Sequence, residues 1–228
     1  MKNNKKILII GGTGDIGRAI ARKFPKEDIV IAGSKEIDLN DHNSINSFFD
    51  ENRMNKFEIF IFSSGINEPA HIQNMSHDNF IKTMQINCSS IHYIFTMNFK
   101  CMNHLKSFVA IGSLYSSIAR GDRSSYVSSK HALKGLVKAL AIDLAKKKCN
   151  ANMVSPGFIN TKLTIKNNSK LKLKKILSMV PVKKLGRPSD IANAVYFLTN
   201  KESKYINGID LIVDGGFSTG GYQNILNE

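Results

Sequence analysis

Along the chain, short unbroken apolar runs alternate with stretches whose apolar residues recur three and four positions apart. The runs are Ile7–Ile10, Ile29–Ala32, Phe57–Phe62, Phe108–Ile111, Asn152–Val154 and Ile209–Val213. Apolar runs without polar alternation predict strands of a parallel sheet covered on both faces. The intervening segments predict helices at Asp15–Phe24, stopped by Pro25, at Ile45–Phe49, Asp78–Met84, Ile91–Met102 and Ser124–Lys147, and at Ser189–Leu198, opened by Pro188 and Ser189-Asp190. Regular alternation implies right-handed crossovers and a doubly wound α/β fold. Neither an internal repeat nor a second domain interrupts it, so residues 1–228 read as one domain.

Composition narrows the classes. With 228 residues, 42% of them hydrophobic, the chain can close one full core. Its apolar runs are too short to span a bilayer. The apolar part of Met1–Ile10 is four residues long and runs into Gly11-Gly12, which suits a buried first strand better than an export signal. The expectation is a cytosolic protein without membrane contact. Cys88, Cys101 and Cys149 are odd in number and form no CxxC, and the histidines lack metal-ligand spacing. No disulfide framework and no metal site is expected. A net charge of +14 favours anionic ligands. The lysines lack interleaved aromatics, so nucleic acid is not the expected partner.

Candidate chemistry starts at Gly11-Gly12-Thr13-Gly14-Asp15-Ile16-Gly17, between the first strand and the first helix. Glycines there permit a tight turn and close approach to a pyrophosphate, which the helix N-terminus also favours. Two registers fit, one starting at Gly11 and one at Gly12. In dinucleotide folds an acidic side chain near the end of the second strand holds the ribose 2′-hydroxyl. Here that strand ends Ala32-Gly33-Ser34-Lys35, and no carboxylate appears before Glu36. Ser34 and Lys35 suit a 2′-phosphate, which favours NADP(H) over NAD(H).

Tyr126 and Lys130 are four apart on the long predicted helix and share a face. Ser113 ends the strand before it. Further on come Ser155-Pro156-Gly157-Phe158-Ile159-Asn160-Thr161 and Val213-Asp214-Gly215-Gly216. A free phenol, with a pKa near ~10, exchanges its proton poorly at neutral pH, and a neighbouring ammonium favours the phenolate. That pair would bring the acid toward the range where general catalysis works best.

In this ordered set, from Ile7 to Phe217, the chain resembles the short-chain dehydrogenase/reductase family, in the branch that includes 3-oxoacyl carrier-protein reductases. The resemblance implies a Rossmann sheet and hydride transfer between a nicotinamide dinucleotide and a carbonyl or alcohol. It implies that Tyr126 exchanges the proton with the substrate oxygen and that Lys130 lowers the phenol pKa and binds the nicotinamide ribose. Ser113 would hold the substrate oxygen, and Asn87 would order a water linking Lys130 to solvent. Pro156, Gly157, Ile159 and Thr161 match the segment around the nicotinamide amide. Asp38 and Leu39 match the segment over adenine. Ser63, Ser64 and Gly65 stand where the family carries Asn-Asn-Ala-Gly.

Three departures stand out. Asp15 occupies a usual glycine position and Ile10 a usual threonine. The connection from Gly17 to Gly65 is short, which implies that the family's helix between its second and third strands is missing and the sheet edge trimmed. Residues 161–187 match the family's substrate lid and hold eight lysines between Lys162 and Lys184. These could steer an acidic or carrier-linked substrate, or form a solvated face with leucines turned inward. The Lys146-Lys147-Lys148 run should end the long helix and complement its dipole.

The leading functional expectation is a reductase of a small or carrier-linked carbonyl, with 3-oxoacyl thioesters as the best single substrate. A sugar-nucleotide dehydrogenase or epimerase, and a non-catalytic dinucleotide sensor, are the alternatives. The family resemblance also implies a homodimer or homotetramer packed through the long helix, where Gly135, Ala139 and Ala141 would allow close approach.

Overall fold

The computed structural model describes residues 6–220. Six parallel strands form one sheet, β1 (Lys6–Ile10), β2 (Asp28–Ala32), β3 (Phe57–Phe62), β4 (Ser107–Ile111), β5 (Asn150–Pro156) and β6 (Asp210–Val213), in the spatial order β2-β1-β3-β4-β5-β6. The helices are α1 (Asp15–Ala21), α2 (His42–Glu51), α3 (His77–Met84), α4 (Ser90–Met97), α5 (Ser124–Asp143), α6 (Lys162–Lys166), α7 (Lys170–Met179) and α8 (Pro188–Leu198). The expected doubly wound fold is the one observed. Among the described residues no helix is long and apolar enough to cross a membrane.

Each strand sorts its residues to two cores by alternate pointing. Leu8, Ile10, Phe60, Phe62, Phe108 and Ala110 join one, together with side chains of α2, α4 and α5. Ile7, Ile9, Ile59, Ile61, Val109 and Val154 join the other, with side chains of α1 and α8. The aromatic bulk is therefore one-sided. Phe60 packs on Phe95 and Phe108 at ring-centroid distances of 6.0 and 5.1 Å, and α4 carries the partner ring. Emptying such a site costs about 3–5 kcal/mol.

The sheet ends at β2. Between β2 and β3 the chain makes a turn and the single helix α2, capped by Asp41, whose carboxylate accepts from Asn43 N–H at 2.9 Å. This makes β2 the edge strand at this end of the sheet. It is also less covered than the strand pattern suggests, since Ile31 of β2 is 42% exposed.

Other boundaries differ from the sequence reading. Helix α1 stops at Ala21, and Phe24 packs into the core beyond it. The apolar stretch Ile91–Met102 is α4 followed by a 3-10 turn at Phe99–Met102, and a wide π-helical turn at Gln85–Ser89 precedes it. Helix α5 ends at Asp143. A 3-10 turn follows, and Lys148 at φ 57° turns the chain left-handed, so the lysine run lies beyond the helix. Lys147 sits 3.8 Å over the Phe99 ring and donates to Asn103 Oδ1 at 3.1 Å.

Residues 161–187, read as a basic lid with no elements of its own, contain two capped helices. Thr161 accepts from Thr164 N–H to open α6, and Ser169 accepts from Lys172 N–H to open α7. Only part of the apolar set turns inward. Ile176 is buried, while Leu171 is 69% exposed.

Candidate active site

The carboxyl ends of β1, β3, β4 and β5 meet on one edge of the sheet, where open α/β folds bind ligands. Gly11 takes φ 83° there, and a Cβ on it would lie 2.4 Å from Ser64 N, so only glycine lets the loops after β1 and β3 touch. Gly17 is equally confined, because its Cβ would fall 2.2 Å from Gly11 O. Gly14, the residue before α1, has open space beside it, with Gly11 O at 3.4 Å as the nearest atom to a built Cβ. The first-turn N–H groups of α1 have no intrahelical acceptors and face this opening. These features fit a pyrophosphate.

Asp15 departs from that pattern in a defined way. Its carboxylate accepts from the backbone N–H of Lys162 at 2.7 Å and from Arg18 at 3.0 Å. The bond to Lys162, first, and the Arg18 guanidinium hold its pKa below the ordinary carboxylate value. The residue that replaces glycine thereby ties the loop to the start of α6, 147 positions away.

At the end of β2, Ser34 and Lys35 are exposed. The structure adds Glu36, whose carboxylate accepts from Gly33 N–H at 2.8 Å and so stands at the strand end. Thr13 approaches the same point, since a Cβ on Gly33 would meet its Oγ1 at 2.5 Å. Asp38 is occupied locally, accepting from Asn40 N–H at 2.9 Å. The side chains of Ile16, Leu39 and Ile159 pack into the cores, which leaves their backbones to face a ligand. Pro156 is likewise buried.

The four residues singled out for catalysis come together. Ser113, two residues beyond β4, lines the same cavity as Tyr126, and its hydroxyl is near enough to the phenol to favour the ionised form. Its hydroxyl also accepts from Tyr115 N–H at 3.2 Å, which fixes its direction. Tyr126 lies in the first turn of α5. Lys130, one turn on, is buried, donates to Ile111 O at 2.9 Å and lies 5.7 Å from the Tyr126 ring centroid. Asn87 sits in the π-helical turn. Its Oδ1 accepts from Ile66 N–H at 2.8 Å, and its Nδ2 donates to Ile66 O at 3.0 Å and to Ser129 Oγ at 2.9 Å. Gly65 joins the two halves of the site, because a Cβ there would lie 3.2 Å from Asn87 Oδ1 and 3.4 Å from Lys130 Nζ.

Burial governs the two titrating groups. It pushes the Tyr126 phenol above its ordinary value, against the Ser113 hydroxyl and the Arg123 charge, which lower it. It brings the Lys130 ammonium down to about 8. The lowering of Tyr126 by Lys130 that the spacing suggests is not the governing influence in this structure. Lys130 spends a hydrogen bond on Ile111 O, and its own charge is disfavoured by the same dry surroundings.

A cavity of about 100 Å³ opens onto Ser113 and Tyr126 and is also lined by Asn67, Tyr115, Arg120, Arg123, Gly157 and Leu163. Arg123 and Asn67 escape sequence reading. Each sits in a polar loop without a motif, and only folding brings the guanidinium to Asn67 Oδ1, at 2.7 Å. Ser129 escapes it too. Its hydroxyl donates to Tyr126 O at 2.8 Å and links that turn of α5 to Asn87. A broader cleft of about 490 Å³ lies beside Asp15, Arg18, Arg22 and Lys162, away from Ser113 and Tyr126.

The chain is similar to known proteins over most of its length. A family model described as enoyl-(acyl carrier protein) reductase matches residues 14–218. The chain is 32% identical to 3-oxoacyl-(acyl-carrier-protein) reductase FabG of Buchnera aphidicola subsp. Schizaphis graminum, over 95% of this chain and 98% of that one. It is 27% identical to the reductase MabA of Mycobacterium tuberculosis, over 95% and 94%. Among solved structures, a 4-hydroxyisoleucine dehydrogenase complexed with NADH superposes with a TM-score of 0.88 at 28% identity, covering 95% of this chain and 100% of that one.

Proposed function

Because the chain belongs to the short-chain dehydrogenase/reductase family, in the branch of the 3-oxoacyl carrier-protein reductases, we propose that Ser113, Tyr126, Lys130 and Asn87 are its catalytic set and a 3-oxoacyl thioester its substrate. The protein is an NAD(P)-dependent oxidoreductase acting on C=O and CH–OH groups. The observation that supports the residue assignment is that Ser113 and Tyr126 line one small cavity with Lys130 Nζ 5.7 Å from the Tyr126 ring centroid.

When bound, the nicotinamide supplies or takes up the hydride. The protein's part is to orient and to move a proton. Ser113 and Tyr126 hydrogen-bond the substrate oxygen together, and Tyr126 gives its proton as charge develops there. Lys130 holds positive charge beside the phenol and the nicotinamide ribose. Asn87, fixed by both polar groups of Ile66, positions the water through which Lys130 communicates with solvent. Residues 161–187 fold over the substrate as a lid, with α6 anchored by Asp15. The sugar-nucleotide and sensor readings are not favoured, because the matched relatives are reductases and the catalytic set is intact. Oxidation of NADPH by a 3-oxoacyl thioester, followed at 340 nm, tests the function. Tight cofactor binding with no turnover of any carbonyl would return the sensor reading.

For the cofactor we favour NADP(H), on Ser34 and Lys35. Glu36 opposes them, since a carboxylate at that point suits a 2′-hydroxyl. Lys35→Ala is expected to lower the NADPH-to-NADH affinity ratio about 10-fold, and Glu36→Gln to raise it. Dissociation constants from nicotinamide emission, in a chain without tryptophan, give the ratio directly. Unchanged ratios in both variants would remove these residues from cofactor choice.

A homodimer or homotetramer is the proposed assembly, with a corresponding mass in solution. Gly135 and Ala139 are exposed on α5 beside the outward Ile142. Ala141 is not available for that contact, because it is buried in the protomer's own core.

A further inference from the structure

Arg123 is 5% exposed, yet among the described residues no carboxylate pairs with it. Its one hydrogen bond goes to the neutral Asn67 amide oxygen at 2.7 Å. A guanidinium carries five donors, so most of its capacity is unused. Burying a charge without a counter-charge is costly. Arg120 lines the same cavity and is also bonded to a neutral partner, the Tyr115 phenol, at 3.3 Å. The two cations oppose each other there, and burial together with Arg120 lowers the Arg123 pKa. On the same wall, Asn168 holds a buried amide oxygen without a partner.

These groups share the cavity with the reacting hydroxyls. Arg123 immediately precedes α5, three residues before Tyr126, lines the same cavity, and its charge reaches the Tyr126 phenol. The volume, about 100 Å³, suits a short acyl group.

We propose that this cavity also takes free short-chain oxo acids, with the substrate carboxylate held by Arg123, assisted by Arg120, while the ketone sits on Ser113 and Tyr126. The proposal rests on the reading of the site as a carbonyl reductase and adds a substrate class to it. In the reaction the carbonyl carbon gains the hydride and its oxygen gains the Tyr126 proton. The carboxylate is unchanged, and the nicotinamide leaves oxidised. A neutral ester of the same acid keeps the ketone but forfeits the ion pair. The small ester lacks both that ion pair and the carrier contacts open to a thioester, so it is the analogue this site should use least.

The test compares 3-oxobutanoate with its methyl ester and with the 3-oxobutanoyl thioester, in the wild type, Arg123→Gln and Arg123→Lys. The wild type should prefer acid over methyl ester by about 100-fold in kcat/KM. Arg123→Gln, which can keep the bond to Asn67, should erase most of that ratio, and Arg123→Lys should retain part of it. Equal use of acid and ester by the wild type, or an unchanged ratio in both variants, overturns the proposal. Calorimetry with butanoate on cofactor-saturated protein gives a readout without turnover, and the wild type should bind at least 10-fold more tightly than Arg123→Gln. If that difference is present and no carbonyl is reduced, the reductase reading fails and the anion site stands. If thioesters are reduced but butanoate binds equally to both proteins, the anion site fails and the reductase stands. Should Arg123→Gln not fold, Arg123→Lys decides both measurements.

Discussion

Replacing Tyr126 with phenylalanine is expected to cut turnover about 10³-fold while leaving nicotinamide affinity within about twofold. The substitution removes one oxygen. The ring keeps its edge-on contact with Tyr115, at a centroid distance of 6.3 Å, and its place in α5. What disappears is the proton donor facing the substrate oxygen. Ser113 would remain to orient that oxygen, but an alkyl alcohol is too weak an acid to replace the phenol. Stopped-flow turnover and emission titration separate the two effects. Retention of a tenth or more of the activity would place the proton elsewhere, with Lys130 the next candidate.

Lys130→Met is expected to produce two opposite results in one protein, a loss of turnover of similar size and a gain in stability. In the native state burial holds the Lys130 pKa at about 8, against 10.5 for the free side chain. The folded protein therefore binds this proton less readily than the unfolded chain does. The penalty is full below pH 8 and fades as pH rises toward 10.5, where both states are neutral. A shift of that size corresponds to about 3 kcal/mol at pH 7. Methionine escapes it but leaves Ile111 O without the lysine donor, which returns about 1–2 kcal/mol. A net gain of about 1–2 kcal/mol at pH 7 should follow, shrinking toward pH 9.5. Denaturant midpoints at the two pH values measure it. A variant less stable than the wild type at pH 7 would mean that the ammonium is better solvated in the protein than its burial indicates.

The reach of the sequence differs from element to element for physical reasons. The strands are legible because a sheet covered on both faces leaves no polar positions, so Phe57–Phe62 stands out with its observed limits. The Ser113, Tyr126 and Lys130 set is legible because its spacing follows from the helix and strand that carry it. Asn87 is legible only through family resemblance, since nothing in Met84-Gln85-Ile86-Asn87 announces a π-helical turn. Arg123 looks like any loop arginine, and its burial depends on Asn67, 56 positions away. The bond from Asp15 to Lys162 has no local signature at all. Glu36 could have been recognised, because a carboxylate three residues after Gly33 is well placed to turn back on its N–H. The caps Thr161 and Ser169 likewise offered a signal for α6 and α7 that the density of lysines obscured.

The wide turn at Gln85–Ser89 has a consequence for how this chain can vary. Such turns usually arise where an ordinary helix has accommodated one additional residue. Removing Gln85, Ile86, Cys88 or Ser89 would let α3 run smoothly into α4, with little harm to either helix. It would also close the widened turn, so that the residues within it change place while both helices keep their faces. Asn87 would then swing away from Ile66 and Ser129 without being mutated. A shortened chain of this kind could fold well and still lose the relay proposed for Asn87, so an alignment gap there would report lost activity as surely as a change at one of the proposed catalytic residues.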